Sequence, residues 1–208
     1  MKFGKTVAVV LASSVLLAGC TTDKKEIKAY IEQMDKIKKD EEPIKSVGKK
    51  IAELDEKKNK LTSNANSQDA SVREKAVKDL IKNADERLKE FKKEEDAIKK
   101  SEQDYKKAGS HIDTIGNDVK RKEVEQLNDA LKEKYKMHVK YTETYKTAVN
   151  SEKTLFEYLR QSDATQQGVR EKEKTIGQNY KKLKEVTDKY SKVQNKVARE
   201  KQDVDQFV

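Results

Sequence analysis

Between Val124 and Leu159 the chain sets a stripe residue every three or four positions without a slip. The series runs Val124, Leu127, Leu131, Lys134, His138, Tyr141, Tyr145, Ala148, Glu152, Leu155 and Leu159. This 3,4 alternation draws one narrow stripe along a helix, the pattern of a coiled-coil seam. A strand would need an alternation of two, and no such stretch with hairpin turns occurs. The repeat therefore predicts a helix over about 117–161.

Three other segments carry the same kind of period. The first spans about 24–61, with Ile27, Tyr30, Ile31, Met34, Ile37, Ile44, Val47, Ile51, Leu54 and Leu61 on its stripe. Pro43 lies inside it, which predicts a kink there or a restart near Glu42, because proline removes a backbone donor and crowds the preceding turn. The second spans about 69–108, with heptads at Val77, Ala84, Phe91, Ile98 and Tyr105 and companions at Ile81 and Leu88. Asp69 or Ser71 is placed to cap its start, Ser71 having Glu74 in capping-box register. The last begins near Thr165 and keeps strict heptads at Val169, Ile176, Leu183, Tyr190, Val197 and Val204. The intervening stretches 62–68, 109–116 and 161–168 are rich in Gly, Ser, Asn, Asp and Gln, which favour turns.

Four helices of this length with short connections make sequential neighbours antiparallel. The expected fold is all-α, an elongated up-and-down bundle of four long helices. The runner-up is a three-helix, spectrin-like bundle in which one segment packs loosely or continues into its neighbour. Composition agrees. Charged residues make up 41% of the chain, against about a quarter in ordinary domains. That suits helices burying one stripe each and not the wide core of an α/β enzyme. The heptads exclude uniform disorder.

The N-terminus sets the compartment. Lys2 and Lys5 precede an apolar run from Val7 to Leu17, the layout of an export signal. It falls short of the roughly 20 apolar residues of a membrane span. Leu17-Ala18-Gly19-Cys20 follows, and it resembles the bacterial lipobox. Ala18 and Gly19 are small enough to admit a peptidase, and the Cys20 thiol is the nucleophile that takes a diacylglyceryl group. The reading is a leader over 1–19, a lipidated Cys20 with a short tether over 20–23, and one helical domain over 24–208. Two acyl chains suffice for stable anchoring. Cys20 is the only cysteine, so lipidation leaves no thiol for disulfide, metal or redox work.

Formal charge is +9. Removing Lys2 and Lys5 with the leader lowers it to +7. A basic balance favours anionic partners. Export removes nucleic acid from these and keeps lipid head groups and wall polymers such as teichoic acid. The lysine-rich, Trp-free composition points to a Gram-positive source. No metal, cofactor or catalytic constellation is expected. His111 and His138 lie far apart, without ligands at i+3 or i+4, and His138 is read as an edge-of-core residue. Acid pairs such as Glu41-Glu42 and Glu94-Glu95 are read as a solvated face.

Up-down order brings the first and third turns to the end away from the lipid. Both are rich in uncharged polar residues: Asn64 and Asn66 in one, Gln161 and Gln167 in the other, with Tyr158 and Arg160 beside them. Amides with an aromatic suit a sugar or peptide surface, so these six residues are the candidate ligand contacts.

Lipobox, short tether and lysine- and glutamate-rich helices to the C-terminus together resemble the YkyA-like family of cell-wall-binding lipoproteins of Gram-positive bacteria. The resemblance implies an all-helical bundle on the extracytoplasmic face of the cell membrane, anchored through Cys20 within its Leu17, Ala18 and Gly19 context. It implies wall binding, to peptidoglycan or an anionic polymer, without catalysis. An alternative from another class is a scaffold or regulator that meets an envelope protein through an exposed helix face.

Overall fold

A computed structural model of the chain describes residues 22–208 in full, with helical backbone assigned from Ala8. Leu17, Ala18, Gly19 and Cys20 lie outside the described side chains. The fold is an all-α bundle of four helices: α1 (Ala8–Ala65), α2 (Ala70–Ala108), α3 (Asp118–Tyr158) and α4 (Gln166–Asp205). A short 3₁₀ turn, Gly109–His111, lies between α2 and α3. There is no strand among the described residues. None of the helices continues into its neighbour, so the four-helix expectation holds over the three-helix one.

Local chemistry sets the helix starts. The Asp69 carboxylate accepts from the backbone N–H of Ser71 at 2.8 Å and of Val72 at 3.2 Å, so Asp69 caps α2 and Ser71 does not. Asn117 does the same for α3 through Val119 and Lys120. Thr165 Oγ1 accepts from Gly168 N–H at the start of α4. These bonds give partners to some of the orphan donors of the first turns.

Three expectations are corrected. The helix does not restart at Glu42: α1 runs through Pro43. Ile37 and Val47, both buried, hold the chain on either side, and burial of that size offsets the roughly 3 kcal/mol cost of an interior proline. Thr22 and Asp23 are helical and not an extended tether. The α1–α2 connection is shorter than its polar stretch suggests, with Asn64 inside α1, and α4 begins at Gln166, so that Gln167 is helical.

The chain groups into two compact units, each made from pieces of all four helices. In unit 1 the described residues are 22–39, 100–134 and 193–208. Its core includes Ile27, Tyr30, Ile115, Val124, Leu127 and Val204. The Asp23 carboxylate accepts from Gly116 N–H at 2.7 Å and Asn117 N–H at 3.1 Å. Glu26 pairs with His111 at 3.0 Å. These bonds seat the α2–α3 connection against the first described turn of α1.

Unit 2 comprises Asp40–Lys99 and Tyr135–Lys192. Its partners run in opposite directions on successive helices. Leu61 packs on the cluster of Val77 and Leu80 while Ile51 packs on that of Ala84 and Phe91. Arg87 meets Glu152 while Glu94 meets His138. Tyr180 meets Glu152 while Tyr190 meets His138. The α1–α2 and α3–α4 connections close one end of this unit over Val77, Leu80, Leu155 and Phe156, with Leu61, Val169 and Ile176 packed against them. Further along, Phe91 stacks on Tyr145 at 4.1 Å beside Ala84 and Val149. The stripe of α4 is only half-buried here at Val169, Ile176 and Leu183, and becomes buried at Tyr190.

Candidate functional site

The end of unit 2 collects the six residues that the sequence singles out, and it gives them unequal roles. An open groove of about 360 Å³ is lined by Ala65, Ala70, Arg73, Glu74, Val77, Leu159 and Arg160. That volume is within the range of small-molecule sites. Its floor is apolar at Val77, and its rim carries two guanidinium groups. Arg73 is held in place, donating to the Ser67 and Gln68 carbonyls at 2.8 and 2.7 Å. Arg160 is exposed and its charge helps to hold the Glu74 carboxyl below its usual range, after the larger effect of the Lys78 hydrogen bond.

Asn64 and Gln161 are exposed, and both use their backbone carbonyls to close turns. The side chain of Asn66 donates to the Thr62 carbonyl at 3.2 Å. Gln167 donates to Glu171 at 3.1 Å. Tyr158 is half-buried, and the connection is built around it. Its hydroxyl accepts from Thr165 N–H at 2.9 Å and lies 3.2 Å from Thr165 Oγ1. Lys172 sits over the ring at 4.9 Å. The first cause of its lowered pKa is the Thr165 side-chain bond. Tyr158 thus staples the α3–α4 connection, and the free polar surface at this end is supplied by Asn64, Arg160 and Gln161.

Gly168 is where the staple needs room. A Cβ there would lie 2.7 Å from Tyr158 Cζ and closer still to its hydroxyl. Alanine is the better helix former by about 1 kcal/mol, but overpacking of this kind costs about 1–3 kcal/mol. Gly168→Ala is expected to lower the melting temperature, read by circular dichroism at 222 nm. An unchanged or higher melting temperature would show that the ring moves aside freely.

Among the described residues, a dense network of buried charge lies inside unit 2. Arg87, 1% exposed, reaches Glu152, Asp55 and Asn83, with the Tyr180 hydroxyl at 3.4 Å. Glu152 also accepts from Lys58 at 2.9 Å and Tyr180 at 2.7 Å. Burial by itself would raise the Glu152 pKa, but the Arg87 charge and hydrogen bond, with Lys58, outweigh it and hold the carboxyl below its ordinary value. Burial pushes the Tyr180 phenol up. A second buried pair, His138 Nε2 to Glu94 at 3.2 Å, lies among Tyr141 and Tyr190. Glu94 is therefore core and not solvated face, which corrects the reading of Glu94-Glu95. Glu95 is half-buried and pairs with Lys146 at 2.6 Å.

The spacing contained the missed signal. Three residues on from Val77, Ala84, Phe91 and Ile98 stand Leu80, Arg87, Glu94 and Ser101, and all eight are buried. They keep the 3,4 alternation of α2. Ile81 and Leu88 look like its companions on hydrophobicity but are only partly buried. Buried polar pairs of this kind fix which helix turns face each other.

In unit 1, Glu123, Glu200 and Asp203 bring carboxylate oxygens within 4.8 Å of one another. Such oxygens suit a hard cation. Here Glu200 already pairs with Arg199 at 2.9 Å. No described helix is long and apolar enough to cross a membrane.

Comparison with known proteins gives this arrangement a context. A crystal structure of a conserved protein of unknown function from Staphylococcus aureus superposes with a TM-score of 0.85 at 75% identity, over 89% of this chain and 95% of that one. An uncharacterised lipoprotein, YkyA of Bacillus subtilis (strain 168), is 23% identical over 203 residues, spanning 91% of this chain and 89% of its own. The YkyA family profile, described as "Putative cell-wall binding lipoprotein", matches residues 25–207, and the chain belongs to that family.

Proposed function

We propose that the protein is a non-catalytic lipoprotein, held at the outer face of the cell membrane by diacylglycerol on Cys20, whose helical body binds the cell wall. The observation that carries this reading is where the charge resides. The buried Arg87 and Glu152 of unit 2 meet opposite charge within the fold, and most of the lysines among the described residues face solvent. In an anionic envelope such a surface attracts peptidoglycan-linked polyanions, in a salt-dependent manner. The open groove at the end of unit 2 offers Arg160 and neighbouring amides for a more specific contact. The family description supports the wall as the partner.

The reading is tested in cells. The wild-type chain is expected to take up labelled fatty acid and to remain with protoplasts after the wall is digested, while Cys20→Ala takes up none. A body whose residues 1–21 are exchanged for a non-lipidated secretory leader is expected to be held by the wall and released by salt. Its complete recovery in the culture medium contradicts wall binding. A salt-resistant complex with an envelope protein in its place supports the scaffold reading.

A further inference from the structure

Positive charge is not spread evenly over unit 2. Residues 166–192 of α4 carry eight Lys and Arg against four Asp and Glu, while the remainder of the unit carries twenty against nineteen. One helix segment thus holds nearly all of the unit's imbalance. It is also the least buried helix of the unit, with a stripe half-buried at Val169, Ile176 and Leu183, so most of its circumference faces solvent.

Helix geometry turns this excess into a line. Arg170, Lys174, Lys181 and Lys192 are separated by four, seven and eleven residues. At about 100° per residue these fall within one narrow sector, opposite the stripe of Val169, Ile176, Leu183 and Tyr190. At about 1.5 Å per residue the line extends roughly 33 Å. Arg170, Lys174, Lys181 and Lys192 are exposed and unpaired among the described residues. Two of the four acids are already engaged, Glu171 by Gln167 and Asp188 by Lys184. Glu173 and Glu185 remain, against Lys182 and Lys189, which widen the basic face.

We propose that this outward face of α4 is the contact surface for a linear phosphodiester polyanion. A flexible chain with one negative charge per repeat can align with cations spaced along a helix, and releases counterions as it does so. A compact anion would meet only one or two of them. The proposal deepens the wall-binding reading, on which it rests, by assigning the polymer and the face.

The test titrates fluorescently labelled poly(glycerol phosphate) with the mature lipidated chain in phosphatidylcholine nanodiscs, whose neutral lipid adds no net charge. Two variants carry the same change in net charge. One is Arg170→Glu, Lys174→Glu, Lys181→Glu and Lys182→Glu on α4. The other is Lys45→Glu, Lys49→Glu, Lys60→Glu and Lys75→Glu, all exposed positions on α1 and α2 of the same unit. Circular dichroism melts establish that both fold. The α4 variant is expected to bind at least tenfold more weakly, with a shallower dependence of affinity on salt, and the control within about threefold of wild type. Equal losses in the two variants overturn the proposal in favour of diffuse net charge. Full affinity in the α4 variant also overturns it. A wild-type chain that ignores the polymer but sediments with polymer-stripped walls overturns it while leaving wall binding intact.

Discussion

Replacing Arg87 with alanine lowers the stability of unit 2 by about 3–5 kcal/mol, the usual cost of removing one partner of a buried ion pair. Arg87 is 1% exposed. It supplies charge and hydrogen bonds to Glu152, Asp55 and Asn83 together. Its loss strands a carboxylate that is itself 5% exposed. Lys58 and Tyr180 still touch Glu152, which keeps the loss from being larger. The double variant Arg87→Met, Glu152→Leu removes both charges and is expected to recover most of the loss, because two apolar residues of similar volume need no compensation. Urea unfolding followed by circular dichroism measures both. A loss under about 1 kcal/mol for Arg87→Ala would mean that water enters and solvates Glu152.

The same pair sets a pH dependence. The folded-state pKa of Glu152 is depressed below its ordinary 4.5. Its ionised form therefore contributes stability that is present above about pH 4.5 and is lost as pH falls through the lower folded value. Acidification from pH 5 is expected to destabilise wild type more than the double variant. Parallel pH profiles would remove Glu152 from the account of acid unfolding.

Phe91→Ala is expected to cost a similar amount, about 3–5 kcal/mol, through a cavity and not through charge. The ring is fully buried. It stacks on Tyr145 at 4.1 Å and meets the edge of Tyr141 at 5.5 Å. Tyr141 in turn stacks on Tyr190 of α4 at 5.5 Å. Removing Phe91 takes away one side of this aromatic row, and the near-ultraviolet tyrosine dichroism is expected to fall with it. The chain has no Trp, so that signal belongs to its tyrosines and phenylalanines. Unchanged stability and dichroism would show that the row repacks without Phe91.

The four helices were legible because their repeat is set by the chain's own periodicity. On α3 even the polar positions Lys134, His138 and Glu152 kept the alternation, and all three are buried. On α2 two seams competed. Ile81 and Leu88 won on hydrophobicity, but Glu152 and His138 on α3 need Arg87 and Glu94 opposite them. That requirement is tertiary and appears only when both helices are considered together. Of the two expectations at Pro43 the restart failed for a related reason, since packing on both sides outweighed a local preference. At the end of unit 2 the sequence singled out Asn64, Arg160 and Gln161, and the structure leaves all three exposed. The sequence could not separate Tyr158 from them, because the bond from Thr165 N–H to the Tyr158 hydroxyl spans seven residues through a turn. The basic face of α4 was spread among many lysine pairs and became a surface only once the unit boundary and burial were known.

The most direct test of wall binding is cosedimentation of the purified mature chain, in neutral detergent, with isolated cell walls. Walls with and without their anionic polymer are compared across a salt series. The account predicts sedimentation that requires the polymer and fades as ionic strength rises past the point where the Debye length falls below about 10 Å. No sedimentation with either wall at low salt would contradict it.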